Sequence, residues 1–168
     1  MIKRIALIFI FLLCGFALFA GHKIDESPLL ERRVFVSLDS SASISDVLAG
    51  KDWFIICHKL GICGTGVLDY EAYFDSISVI KGEIPILFLF IGEDSLELRK
   101  FVNGYRTNYL KAGLVESDFA SFLGADPPGY WPLLIISYGD STILFNIPTP
   151  RADVFREDFL KAISPFGF

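Results

Sequence analysis

Two uninterrupted apolar runs constrain this chain more than any other feature: residues 52–57 (DWFIIC) and residues 84–91 (IPILFLFI). A run of that length with no polar alternation has no face to offer water, so as a strand it must be covered on both sides. Charge or glycine bounds each run, which keeps them at strand length and below helix length. The charged Asp52 bounds the first at its start and Gly61 lies beyond its end, while Pro85 is tolerated near the start of the second.

The segments between and around these runs read as a strand and helix alternation. Residues 33–38 (RVFVSL) alternate and are rich in β-branched and aromatic side chains, which predicts a strand. Residues 40–45 supply turn and N-cap candidates for a short helix over 44–49, stopped by Gly50. Residues 58–66 (HKLGICGTG) hold three glycines in nine positions and read as a loop. Apolar side chains at Val67, Tyr70, Phe74, Ile77 and Ile80 then mark one helical face.

Asp94 and Ser95 cap a predicted helix over 95–105, and residues 118–123 add a short one. Residues 124–132 (GADPPGYWP) break the chain, and their two adjacent prolines restrict the backbone. Residues 133–137 and 142–147 read as strands of a hairpin turning through Tyr138, Gly139, Asp140 and Ser141. A helix over 153–163 closes the sequence. Strands alternating with helices and ending in a hairpin predict an α/β fold, a central mixed sheet with helices on both faces. At 168 residues, 52% of them apolar, the chain suffices for one domain and no more.

The amino terminus reads as a targeting segment. Lys3 and Arg4 precede 15 consecutive residues, 5–19, without a charge, the pattern of a signal peptide. Fifteen residues rise only ~22 Å, short of a hydrocarbon core of roughly 30 Å, which favours removal over a spanning anchor. A cut after Ala20 fits imperfectly, with Leu18 two positions earlier, and lipid attachment at Cys14 is disfavoured by Leu13 before it. The chain beyond residue 20 holds 13 basic and 20 acidic residues, a net −7, which makes nucleic acid an unsuitable partner. Export would place the two remaining cysteines, Cys57 and Cys63, where disulfides persist.

Gly50-Lys51, the strand DWFIIC, the loop GICGTG, and Trp131-Pro132 ahead of LLII and a Gly139-Asp140 turn follow one another in a recognisable order. In this the chain resembles the thioredoxin-like superfamily, in its exported TlpA and peroxiredoxin-related (AhpC/TSA-like) branch. The similarity covers roughly residues 33–163. It implies a single thioredoxin-like domain over 33–168, after the signal or anchor segment 1–20. It also implies a reactive cysteine at Cys63, with Gly64 and Thr65 beside it and Trp131 and Pro132 walling a substrate groove. An extended peptide would pair there with the backbone before the proline. The alternative is that Tyr130 and Trp131 are core aromatics at a turn.

The chain departs from the family pattern at defined positions. Dithiol oxidoreductases carry Cys-x-x-Cys, whose second thiol resolves the mixed disulfide; here Cys63-Gly64-Thr65-Gly66 puts glycine at that position. Peroxiredoxins carry Thr or Ser three residues before the reactive cysteine; here Leu60 stands there. Two functions follow as expectations. One is thiol–disulfide exchange through Cys63, as a monothiol or with Cys57 as a CX5C pair. The other is a redox-inactive module binding partner proteins of the cell envelope.

A thiol in front of a helix faces the positive end of its dipole, which lowers the thiol pKa from about 8.5. Asp69 and Glu71 in the first turn complement the same dipole and oppose that effect. Cys57 reads equally as a packed small hydrophobe, and His58 either as a proton shuttle for Cys63 or as a solvated loop residue. His22 and His58 are the only histidines, too few for a zinc or copper site, and no cofactor is expected. Expected partners are protein thiols or disulfides and an envelope protein, with a membrane tether through residues 1–20 if that segment is retained.

Overall fold

The computed structural model describes residues 22–23, 25–49, 52–62, 71–72, 74–75, 84–123, 133–138 and 141–146. The predicted targeting segment, the loop at 63–66, residues 124–132, the hairpin tip and the closing helix lie outside the described residues.

The strands are β1 (His22–Lys23), β2 (Arg33–Phe35), β3 (Ser41–Ser43), β4 (Trp53–Lys59), β5 (Ile86–Gly92), β6 (Leu110–Val115), β7 (Leu133–Tyr138) and β8 (Ser141–Asn146). The helices are α1 (Ser27–Leu30), α2 (Ile44–Leu48), α3 (Ser95–Gly104) and α4 (Glu116–Leu123). Glu71, Ala72, Phe74 and Asp75 are helical too. One sheet runs in the order β1-β8-β7-β4-β5-β6-β2-β3. The pairs β4–β5 and β5–β6 are parallel, and every other pair is antiparallel. The predicted mixed sheet is therefore present.

The two apolar runs form β4 and β5, side by side near the middle of the sheet. Their side chains alternate between two cores. Phe54, Ile56, Phe88, Phe90, Leu134 and Ile136 meet Leu98 and Val102 of α3 and the helical Phe74. Trp53, Ile55, Cys57, Leu87, Leu89 and Ile91 meet Leu29, Ile44, Leu48 and Phe119 of α1, α2 and α4. Helices thus cover both faces, which is why these strands carry no polar alternation.

Local signals hold where they are strongest. Ser43 and Asp46 form a reciprocal capping box at the start of α2, and Ala49, one residue before Gly50, closes that helix in the left-handed region (φ 44°, ψ 46°). Asp94 accepts from the backbone N–H groups of Leu96 and Glu97, opening α3.

Several elements differ from expectation. Strand β6 (LKAGLV) has weak strand propensity and a central glycine, and it forms because α3 returns the chain to the open edge of β5. Strand β4 runs on to Lys59, since pairing with β5 continues through His58–Phe90 and Lys59–Ile91. His58 is consequently a strand residue and not a loop residue. Strand β2 stops at Phe35, β3 takes residues whose composition suggests a turn, and α1 and β1 occupy a short polar stretch with no periodic pattern.

Candidate functional site

The parallel strands β4, β5 and β6 end together at Lys59, Gly92 and Val115. In open α/β sheets the carboxyl ends of the strands frame the ligand crevice, because the crossover helices leave that edge uncovered. The chain leaves β4 there through a turn in which the Leu60 N–H donates to the Ile91 carbonyl at 2.8 Å. Gly61 adopts φ +84°, a conformation glycine takes without a Cβ penalty. The chain comes back at the same edge: β7 starts at Leu133, directly opposite Cys57. The segments carrying Cys63 and Trp131-Pro132 therefore depart from and return to one end of β4.

Three consecutive residues at that end have different surroundings. Cys57 is a free thiol with no exposed surface, packed on the α1, α2 and α4 side, and burial pushes its pKa well above the ordinary thiol range. His58 emerges on the opposite face, edge-on to Phe90 with ring centroids 6.4 Å apart. Its Nδ1 is buried without a hydrogen-bond partner among the described residues, and burial lowers its pKa, so the imidazole is neutral near pH 7. Lys59 returns to the α4 side, where its Nζ lies 2.5 Å from Glu116 Oε1 and ties β4 to the first turn of α4.

No protein-family model matches this sequence, and no curated protein matches it. Solved structures do. A crystal structure described as that of a candidate thiol:disulfide interchange protein, DsbE, from Chlorobium tepidum superposes with a TM-score of 0.55 over 86% of this chain and 99% of that one, at 12% identity. The fold is thioredoxin-like. Looser superpositions join a PrxQ mutant from Xylella fastidiosa (TM-score 0.48, 15% identity, 86% and 96% of the two chains). The soluble domain of Sco1 from Bacillus subtilis gives TM-score 0.44 and 14% identity over 84% and 95%. The assignment rests on the first.

Within the thioredoxin-like fold, Cys63, Gly64, Thr65, Trp131 and Pro132 lie outside the described residues. Of the predicted site residues, Cys57 alone is described, on the face opposite His58 and Phe74.

One feature of this thioredoxin-like chain was not apparent in the sequence. A polar cavity of about 430 Å³ opens between the helical Glu71 and Asp75 and the loop joining α3 to β6, lined among others by Tyr105, Arg106, Tyr109 and Lys111. The Tyr109 hydroxyl donates to Asp75 Oδ1 at 2.8 Å. Four residues earlier, at the end of α3, burial and the facing Glu71 carboxylate push the Tyr105 pKa up to about 12. The Lys111 ammonium donates to the Tyr105 carbonyl. Glu71 thus faces a tyrosine, a role beyond the dipole complement expected of it.

Proposed function

We propose that this thioredoxin-like chain works in thiol–disulfide exchange through Cys63. The observation that carries the reading is the shared edge. The segment bearing Cys63 leaves β4 through Ile62, the segment bearing Trp131 and Pro132 enters β7 at Leu133, and Leu133 pairs with Cys57. A groove bounded by Cys63, Gly64 and Thr65 on one side and Trp131-Pro132 on the other would accept an extended peptide at the open end of the sheet. The redox roles printed for the structural neighbour agree with this use of the fold.

In the proposed reaction the Cys63 thiolate attacks one sulfur of a substrate disulfide. A mixed disulfide forms on Cys63, and the other substrate sulfur leaves as a thiolate that takes a proton from solvent. A second thiol then attacks the mixed disulfide, forming a new disulfide and releasing Cys63. Cys57 is poorly suited to that step, since its thiol is buried, protonated and turned into the α1, α2 and α4 core. An external thiol is the better resolving agent, which makes the chain a monothiol catalyst.

The same burial of Cys57 favours a second reading, a redox-inactive module that holds partner proteins in the groove. One measurement separates them: the pH dependence of Cys63 alkylation in the folded Cys57→Ala variant. An apparent pKa well below about 8.5 supports catalysis. A value at or above it, or labelling only in denaturant, leaves the binding module. We further propose that residues 1–20 direct the chain out of the cytoplasm, to the periplasm or a membrane facing it. The mass of the protein recovered from its native source, short by those residues or not, distinguishes removal from anchoring.

A further inference from the structure

We propose that the polar cavity beside Tyr105 and Tyr109 is a binding site for a small zwitterion of dipeptide size, whose ammonium meets Glu71 and whose carboxylate meets Arg106 and Lys111. The inference goes beyond the Cys63 reading and does not depend on it.

The cavity lies at the start of β6. Tyr109 immediately precedes that strand, and Lys111 is its second residue, paired with Phe88. This is the edge of the sheet opposite to the one at which β4, β5 and β6 end. A volume of about 430 Å³ falls at the small end of the range that ligand pockets occupy.

Its walls carry opposite charge. Glu71 and Asp75 line it from the helical side, Arg106 and Lys111 from the loop and the strand. Among the described residues, Glu71 forms no ion pair with Arg106 or Lys111. Neutral partners hold the charges in place instead. The Lys111 ammonium donates to the Tyr105 carbonyl, and the Tyr109 hydroxyl donates to Asp75 Oδ1 at 2.8 Å. A hydrogen bond to a neutral group fixes a charge without cancelling it, so a field persists across the cavity. Both tyrosines register its negative pole: burial raises their pKa, and the Glu71 carboxylate adds to the rise in each.

Binding capacity is left over on both walls. Glu71 Oε1 and the Tyr105 hydroxyl are buried, each without a hydrogen-bond partner among the described residues, and a buried polar group left unsatisfied is costly. Arg106 is exposed and forms no ion pair among those residues, and its planar fork suits a carboxylate. Lys111 uses one of its three ammonium protons on the Tyr105 carbonyl. A simple cation entering here would be repelled by Arg106 and Lys111, and a simple anion by the two carboxylates. A molecule carrying both charges is attracted at both ends, which is specificity by attraction and repulsion together.

The test titrates glycylglycine into the full-length protein near neutral pH and follows the backbone amide resonances of residues 105–111 by NMR. Acetylglycylglycine, which lacks the ammonium, and glycylglycinamide, which lacks the carboxylate, are titrated alongside. Glycylglycine should saturate the shifts in the millimolar range, and each blocked form should bind about tenfold more weakly, the worth of one charge-assisted contact. Glu71→Gln and Arg106→Gln remove one pole each and should each weaken glycylglycine binding about tenfold. Arg106 is exposed, so its replacement leaves the core intact and keeps the test decisive if Glu71→Gln disturbs folding. Absence of saturable shifts overturns the proposal. So does a blocked form that binds as tightly as glycylglycine, or an unchanged affinity in either folded variant. The alkylation of Cys63 bears on the exchange reading alone, so the two can fail separately.

Discussion

Leu98 sits directly over Gly113: a Cβ added to Gly113 would come within 2.7 Å of Leu98 Cγ and 3.1 Å of both its δ carbons. The contact joins α3 to β6, the helix and strand of one crossover, and it explains why a strand with a glycine at its centre exists here. Helix α3 lies close on the sheet because nothing projects from that position.

Gly113→Ala should therefore cost roughly 1–3 kcal/mol, the usual penalty for overpacking against a branched carbon that cannot rotate away. Gly104→Ala, whose Cβ would meet nothing within 4 Å, should be neutral or stabilise by about 0.5–1 kcal/mol through the unfolded state. Urea unfolding of the two variants checks this, and equal effects would refute the close-approach account.

Cys57 should resist thiol reagents in the folded protein. Its thiol is fully buried and its pKa is raised by that burial. Replacing both Cys14 and Cys63 by serine isolates it, and labelling at pH 8 should proceed only as denaturant unfolds the chain. Rapid labelling under native conditions would show that β4 opens locally and would restore Cys57 as a resolving thiol.

His58 makes stability depend on pH. Its folded pKa lies below the unfolded value near 6.5, so between the two the unfolded state holds more protons and acid favours unfolding. The contribution is fully present above about pH 6.5 and is lost as pH falls below it, with a slope of at most about 1.4 kcal/mol per pH unit. His58→Leu should flatten that slope and leave stability at pH 8 unchanged or higher, because an unpartnered buried nitrogen is removed. Identical pH profiles for parent and variant would contradict this.

Ala49 closes α2 at φ 44°, where a Cβ crowds the following carbonyl. Ala49→Gly should raise stability by about 1 kcal/mol, read as a higher melting temperature. A fall would mean that the entropy added to the unfolded chain outweighs the relieved strain.

Much of this architecture is legible in the sequence alone. The runs at 52–57 and 84–91 could only be strands covered on both faces, and they are the paired β4 and β5. Ser43 and Asp94 announced helix starts by chemistry that acts within three residues. Such signals are local, so the sequence alone determines them.

The rest was decided by tertiary structure. Strand β6 exists because the sheet edge and α3 need it, not because LKAGLV prefers to be extended. Cys57 and His58 face opposite cores only because pairing with β5 carries β4 past the point where the glycine-rich stretch suggested a loop. Tyr109 meets Asp75 across a separation of 34 residues, and no local pattern encodes a contact of that span. Short-range sterics and capping are written in neighbouring residues, whereas strand pairing and side-chain seams depend on which distant segments the burial of apolar surface brings together.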